Sequence, residues 1–282
     1  MSDRITEPVL HLHKRPALEG GTLLLAFDGW MDGGEVSTGT VRRLVDLLHA
    51  VPFADIDPDP FYVFHFPGPM ELNALLRPSV KIENGRVASL DMPSNIFSSH
   101  EPARLAFFLG KEPQLLWRTF GDAVFDLARQ VGLRRILFVG SFGGSVPHTR
   151  EPRLYVTASD DRLLTELAAF GLRRTGYEGP GSFTSYLLTR GPEAGLEVGS
   201  LVAEIPGYLQ GRNPMSIEAV TRRLAKALQL PLDLQTLRTE STEWELTISG
   251  LVERDKKMAR MVRELETAYD DELLKQGEAT AE

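Results

Sequence analysis

Four short stretches gather the residues able to do chemistry. The first, Asp28-Gly29-Trp30-Met31-Asp32-Gly33-Gly34-Glu35, joins an apolar run to a helical pattern. Its glycines allow a ligand close to the backbone, and a helix N-terminus offers unpaired N–H groups to an anion. The spacing fits neither GxGxxG nor GxxxxGK[ST], it holds no lysine, and Asp28, Asp32 and Glu35 repel phosphate. Capping accounts for the same residues, because Asp32 and Glu35 have the spacing of a capping box. In the second stretch, Gly110-Lys111-Glu112-Pro113, Pro113 is expected to open a helix carrying Trp117 and Arg118. Glu112 can point into a cleft there, or simply complement the helix dipole.

The third stretch, Gly140 to Arg150, combines glycines with Ser141, Ser145, His148 and Arg150. His148 has the chemistry of a general base, since imidazole titrates near neutrality. The GxSxG elbow is absent, because Val139 stands two residues before Ser141. A histidine and an arginine in a loop also serve as hydrogen-bonding latches. The fourth stretch, Glu204-Ile205-Pro206-Gly207-Tyr208, runs on to Arg212-Asn213-Pro214. Glu204 lies within an apolar strand pattern and needs a partner, for which Arg118, Arg150 and Arg212 are candidates, or else it binds a ligand directly. The candidate cleft residues are therefore Asp28, Asp32, Glu35, Glu112, Arg118, His148, Arg150, Glu204, Tyr208 and Asn213, with no catalytic role assigned. His11, His13, His49, His65 and His100 form no HExxH pattern, and the His11/His13 pair is only a weak metal signal. Neither a metal nor a cofactor is expected.

These residues need a scaffold, and the apolar runs supply one. Thr22–Phe27, Phe61–Phe66, Leu105–Leu109, Arg135–Val139, Leu154–Ala158 and Leu201–Ile205 read as strands buried on both faces. Helical patterns follow from Val36, from Pro113, from Asp160 as N-cap to Gly171, and from Pro214. Strand–helix alternation of this kind predicts an α/β fold, a three-layer α/β/α sandwich around a mainly parallel sheet. All four polar stretches follow strand C-termini, the edge where such sheets place their clefts. Asn84-Gly85 predicts a β-hairpin between Ser79–Ile82 and Arg86–Leu90, extending one sheet edge. Thr242 and Glu245 have capping-box spacing ahead of a narrow seam of Ile248, Leu251, Met258, Val262, Leu265 and Tyr269. The expected organisation is an α/β domain over residues 1–238 and a C-terminal helical extension with a polar tail over 239–282.

With 282 residues, the chain is long enough to bury a large core. It has no cysteine, which excludes disulfide frameworks, thiolate metal sites and a cysteine nucleophile. Its net charge of −8 disfavours nucleic acid as a partner. From Glu240 onward acids outnumber bases 12 to 6, so the acidity belongs to the C-terminal part. No apolar run is long enough to span a membrane, and Met1 to Pro8 do not read as a signal peptide. A cytoplasmic location is expected.

Taken together, Phe27-Asp28-Gly29-Trp30 with Asp32 and Gly34, Gly110-Lys111-Glu112-Pro113 with Trp117 and Phe120, Pro147-His148-Thr149-Arg150, and Pro206-Gly207-Tyr208 with Asn213-Pro214 resemble the proteasome assembly chaperone family of the chaperone-two type, in its bacterial branch. The likeness runs from about Leu23 to Tyr269. It implies a fold akin to purine nucleoside phosphorylases and related hydrolases, self-association into a homo-oligomer, and a scaffold or chaperone role without established catalysis. Relatives that dock on the proteasome can carry a hydrophobic-Tyr-any tail. This sequence reads Ala279-Thr280-Ala281-Glu282, so tail insertion is not expected and the acidic terminal helix is expected on a neighbouring subunit. Two functions follow. One is a non-enzymatic oligomeric interaction protein, and the other is an enzyme acting on a nucleoside-like or small anionic ligand in the strand-end cleft.

Overall fold

The wholly apolar runs form the middle of a nine-stranded sheet, since only a strand covered on both faces can be apolar throughout. The computed structural model describes residues 8–281, with side chains to residue 275. Its strands are β1 (Leu10–Leu12), β2 (Thr22–Asp28), β3 (Val51–Ile56), β4 (Ser79–Glu83), β5 (Arg86–Asp91), β6 (Ile96–His100), β7 (Leu105–Lys111), β8 (Arg135–Gly144), β9 (Arg153–Ala158), β10 (Arg173–Arg174) and β11 (Glu197–Pro206). The helices are α1 (Val36–Leu48), α2 (Met70–Leu76), α3 (Trp117–Gln130), α4 (Asp161–Ala168), α5 (Phe183–Arg190), α6 (Pro214–Ala227), α7 (Gln235–Arg254) and α8 (Lys256–Ala281). The sheet order is β1-β3-β6-β7-β2-β8-β11-β9-β10. Its centre, β7-β2-β8-β11, is parallel, while β6 and β9 run antiparallel to their inner neighbours.

Helices cover both faces, which makes the fold the expected three-layer α/β/α sandwich. On one side α3 and α5 pack Phe120, Val124, Phe183 and Leu187 against Leu25, Phe27, Phe108 and Phe138 of the sheet. On the other, α1, α4 and α6 pack Val41, Leu44, Leu163, Ile217 and Leu224 against Leu24, Leu137, Val139 and Ala203. Phe108 is the hub of the first layer, with ring centroids 5.1 Å from Phe27, 4.7 Å from Phe97 and 6.1 Å from Phe120. Asp160 caps α4 through the Leu163 amide, as expected, and Asn213, just before the expected helix start at Pro214, caps α6 through the Ser216 amide.

Several expectations are corrected by the structure. Phe61–Phe66 is not a strand. Prolines at 58, 60 and 67 flank it, and its aromatics plug the core instead: Phe61 lies 4.9 Å from Phe120, and the Tyr62 hydroxyl donates to the Lys111 carbonyl. The strand in this region is β3, whose apolar pattern is hidden by Pro52 and Asp55. The hairpin forms, with Asn84 and Gly85 at the positive φ values a primed turn requires. It does not extend the main sheet, however, but forms a two-stranded sheet of its own. Pro113 does not open α3, which begins at Trp117; the Pro113 carbonyl instead accepts the Trp117 indole N–H at 2.7 Å.

At the C-terminus, Thr242 lies inside α7 and bonds the Arg238 carbonyl, so it caps nothing. The cap falls at Asp255, whose carboxylate accepts the Lys257 and Met258 amides at the start of α8. Part of the seam packs on this chain, while Leu251 stays exposed. Val252, Val262 and Tyr269 are buried, and Asp270 and Glu272 pair with Arg150 and Arg153. Among the described residues no helix is long and apolar enough to cross a membrane. Truncating the hub with Phe108→Ala is expected to lower stability by about 3–5 kcal/mol in urea unfolding, the range for a fully buried phenylalanine.

Candidate functional site

Because β7, β2, β8 and β11 are parallel neighbours, the loops after them emerge along one sheet edge. The candidate side chains do not converge there; they divide into four local clusters. Asp32 accepts from both the amide and the hydroxyl of Thr38, at 3.1 and 2.7 Å, and so holds the first turn of α1. This is capping without a capping box, since Glu35 is exposed, sits at positive φ and makes no capping bond. Burial pushes the Asp32 carboxyl up from 3.8 to about 6, against the opposing pull of the Thr38 bonds. Asp28 closes β2 with an exposed side chain, and its carbonyl accepts the Glu112 amide at 2.9 Å.

Glu112 is a latch. One carboxylate oxygen accepts the Trp30 amide at 3.0 Å and the other accepts the Phe183 amide at 2.9 Å. It thereby ties the turn after β2 to the first turn of α5. Arg118 is exposed on the first turn of α3.

His148 is almost wholly buried, and both ring nitrogens are engaged. Nδ1 lies 2.7 Å from the Tyr208 hydroxyl and Nε2 lies 3.1 Å from the Ser249 hydroxyl of α7. Burial lowers its pKa, with Glu266 opposing, so the ring is neutral at pH 7. Tyr208 also accepts the His148 amide at 2.8 Å. Arg150 forms a two-pronged pair with Asp270, both contacts at 2.8 Å, and so reaches α8 rather than a cleft.

Glu204 finds none of its three expected partners. Its partner is Arg153, directly opposite it in the β11–β9 register, with Nη1 at 3.4 Å from both carboxylate oxygens. The Ser145 amide and hydroxyl donate at 2.8 and 3.1 Å, and Tyr155 donates at 3.0 Å. Arg212 lies 3.6 Å from Glu240 instead. Asn213 is spent on capping α6. His11 and His13 both bond Asp55 across β1 and β3, and among the described residues no cluster of three metal-binding side chains forms.

A sizeable hollow does lie on this edge, walled in part by Trp30, Met31 and Gly33 of the first stretch and Ser141, Phe142 and Gly143 of the third, residues the sequence reading did not pick as candidates. A cavity of about 880 Å³ opens between α5, the 175–182 loop, the turn after β2 and the strands β8, β11 and β9. None of the ten candidates lines it. Trp30, Phe142, Tyr155, Tyr177, Thr157 and Ser200 are among its walls. A signal for it existed: Ser200, a small polar residue in the mainly apolar run of β11, leaves room on that face of the sheet.

Comparison with known proteins follows from this geometry. The PAC2 family profile matches residues 26–252. A proteasome-assembly chaperone homologue of Mycobacterium tuberculosis superposes with a TM-score of 0.73 at 25% identity, covering 86% of this chain and 99% of that one. A PAC2 family protein from Streptomyces avermitilis gives 0.70 at 26% identity, with 86% and 99% covered. PbaB, an archaeal proteasome activator of Pyrococcus furiosus, shares the fold with a TM-score of 0.64 at 19% identity over 86% and 97%. Among curated proteins none matches.

Asp32 makes stability depend on pH. Between pH 3.8 and about 6 the folded chain keeps a proton that the unfolded chain has released. This contribution is complete below 3.8 and lost as pH rises through 6. Asp32→Asn keeps an acceptor and removes the titration. Relative to the parent, the variant is expected to gain about 3 kcal/mol between acid and neutral pH, read from urea midpoints at each.

Proposed function

We propose, from the premise that the chain belongs to the PAC2 family, that it is a non-enzymatic interaction protein that binds copies of itself and serves in protein assembly. Two of its relatives are described as a proteasome-assembly chaperone homologue and a proteasome activator, so a proteasome-type partner fits this role. The engagement of His148, Glu112, Glu204 and Arg150 in internal bonds supports binding over turnover.

The observation that carries self-association is the β4–β5 hairpin. Its register pairs Val80 with Leu90 and Ile82 with Val87, so four aliphatic side chains share one face. Ser79, Lys81, Glu83, Arg86, Ser89 and Asp91 occupy the other, with Lys81 and Glu83 paired at 2.6 Å. The apolar face is bare, each of its four side chains being 54–64% exposed. Met70 and Leu75 of α2 stand exposed beside it in sequence. A lone two-stranded hairpin is marginal in water, and a contiguous apolar face on one marks a surface built to be covered. A second hairpin suits it, because the polar face carries two charges of each sign and does not repel its own copy.

The paired substitution Val80→Asp with Ile82→Asp is expected to convert an oligomer to a monomer in light scattering at micromolar concentration, with an unchanged circular dichroism spectrum. A parent protein that is itself monomeric under those conditions would overturn the reading.

A further inference from the structure

We propose that the cavity between α5 and the β8-β11-β9 part of the sheet is a binding site for an uncharged small molecule carrying a planar ring and hydroxyl groups. This inference goes beyond self-association and does not rest on it. The cavity volume of about 880 Å³ falls in the range of sites that enclose a small ligand.

Its chemistry is selective. A quarter of the chain is charged, yet not one charged side chain lines this hollow. The nearby charges are turned aside: Glu204 faces Arg153 and Ser145, and Glu112 is held by two backbone amides. An anion or cation entering would lose its hydration without gaining a counter-charge, so the site disfavours ions of either sign. Rings are well served. Trp30 and Tyr177 come from two separate segments, and each leaves 68% of its surface to water beside the cavity.

Hydroxyls are served as well. Ser200 and Thr184 line the cavity while only 4% and 5% exposed, and among the described residues neither side chain has a hydrogen-bond partner. Their oxygens open onto the cavity and are not sealed off, so a ligand hydroxyl can take the place of the water that meets them. The walls are also held in register before any ligand arrives. The Glu112 latch joins Trp30 on one wall to the start of α5 on another, so little ordering remains to be done on binding.

Two neutral probes, p-nitrophenyl glucoside and tryptophol, and one anionic probe, p-nitrophenyl phosphate, test the proposal by calorimetric titration of the full chain. At least one neutral probe is expected to bind in the millimolar range or tighter, with the phosphate at least tenfold weaker. Thr157→Trp, which fills the cavity from β9, should weaken neutral binding at least tenfold. Tyr177→Ala, a loop change that places no demand on the core, should weaken it severalfold. Silence from both neutral probes, equal binding of glucoside and phosphate, or neutral binding untouched by both variants would each sink the assignment. None of these outcomes depends on whether the protein self-associates.

Discussion

A buried carboxylate must be neutralised where it lies, and Glu204 imposes that demand on the far half of this molecule. The reversal of β9 relative to β11 sets Arg153 directly opposite it. Ser145, at the turn after β8, donates two further bonds, which fixes where that chain leaves the sheet. Gly144 is needed for the approach, because a Cβ there would fall 2.4 Å from the Glu204 side chain. The charge then passes outward. Arg153 lies over the Tyr269 ring and meets Glu272 at 2.6 Å, so the pair that settles the sheet edge also seats α8.

That arrangement explains why the polar residues at the strand ends fall into separate clusters. Each belongs to a junction: Asp32 to the start of α1, Glu112 to the start of α5, His148 to the contact with α7, and Arg150 to α8. A neutral imidazole bonded at both nitrogens works as a strut. The surface left over for encounters is of another kind, one hollow of rings and hydroxyls and one bare aliphatic face on a hairpin.

The central parallel strands, the cap at Asp160, the helix start at Pro214 and the Asn84-Gly85 turn were legible because each rests on local pattern or local stereochemistry. The strand-end edge was legible for the same reason. What escaped is what long-range packing decides. Phe61–Phe66 has strand composition but is claimed by the aromatic cluster around Phe120. The partner of Glu204 depends on the direction of β9, which no spacing in the sequence reveals. Thr242 imitates a cap because its neighbours have the right types, yet helix α7 had already started at Gln235. The cavity's lining escaped because its walls come from five separate segments, and the rings and hydroxyls in them are not the charged groups on which a sequence reading fixes.

The segment between β3 and β6 has a feature with evolutionary weight. Those two strands pair directly, and its base is cross-tied by Ile56 and Asn95, whose backbones bond at 3.0 Å and whose side-chain amide returns to the Ile56 carbonyl. Residues 57 to 66 plug the core through Phe61 and Tyr62, while residues 67 to 94 beyond them, with a hairpin that pairs only with itself, form a module hung from that closed socket. Such a module can be lengthened, shortened or exchanged for another without disturbing the register of the sheet. A lineage can then vary the surface that this module shows while leaving the scaffold that displays it untouched.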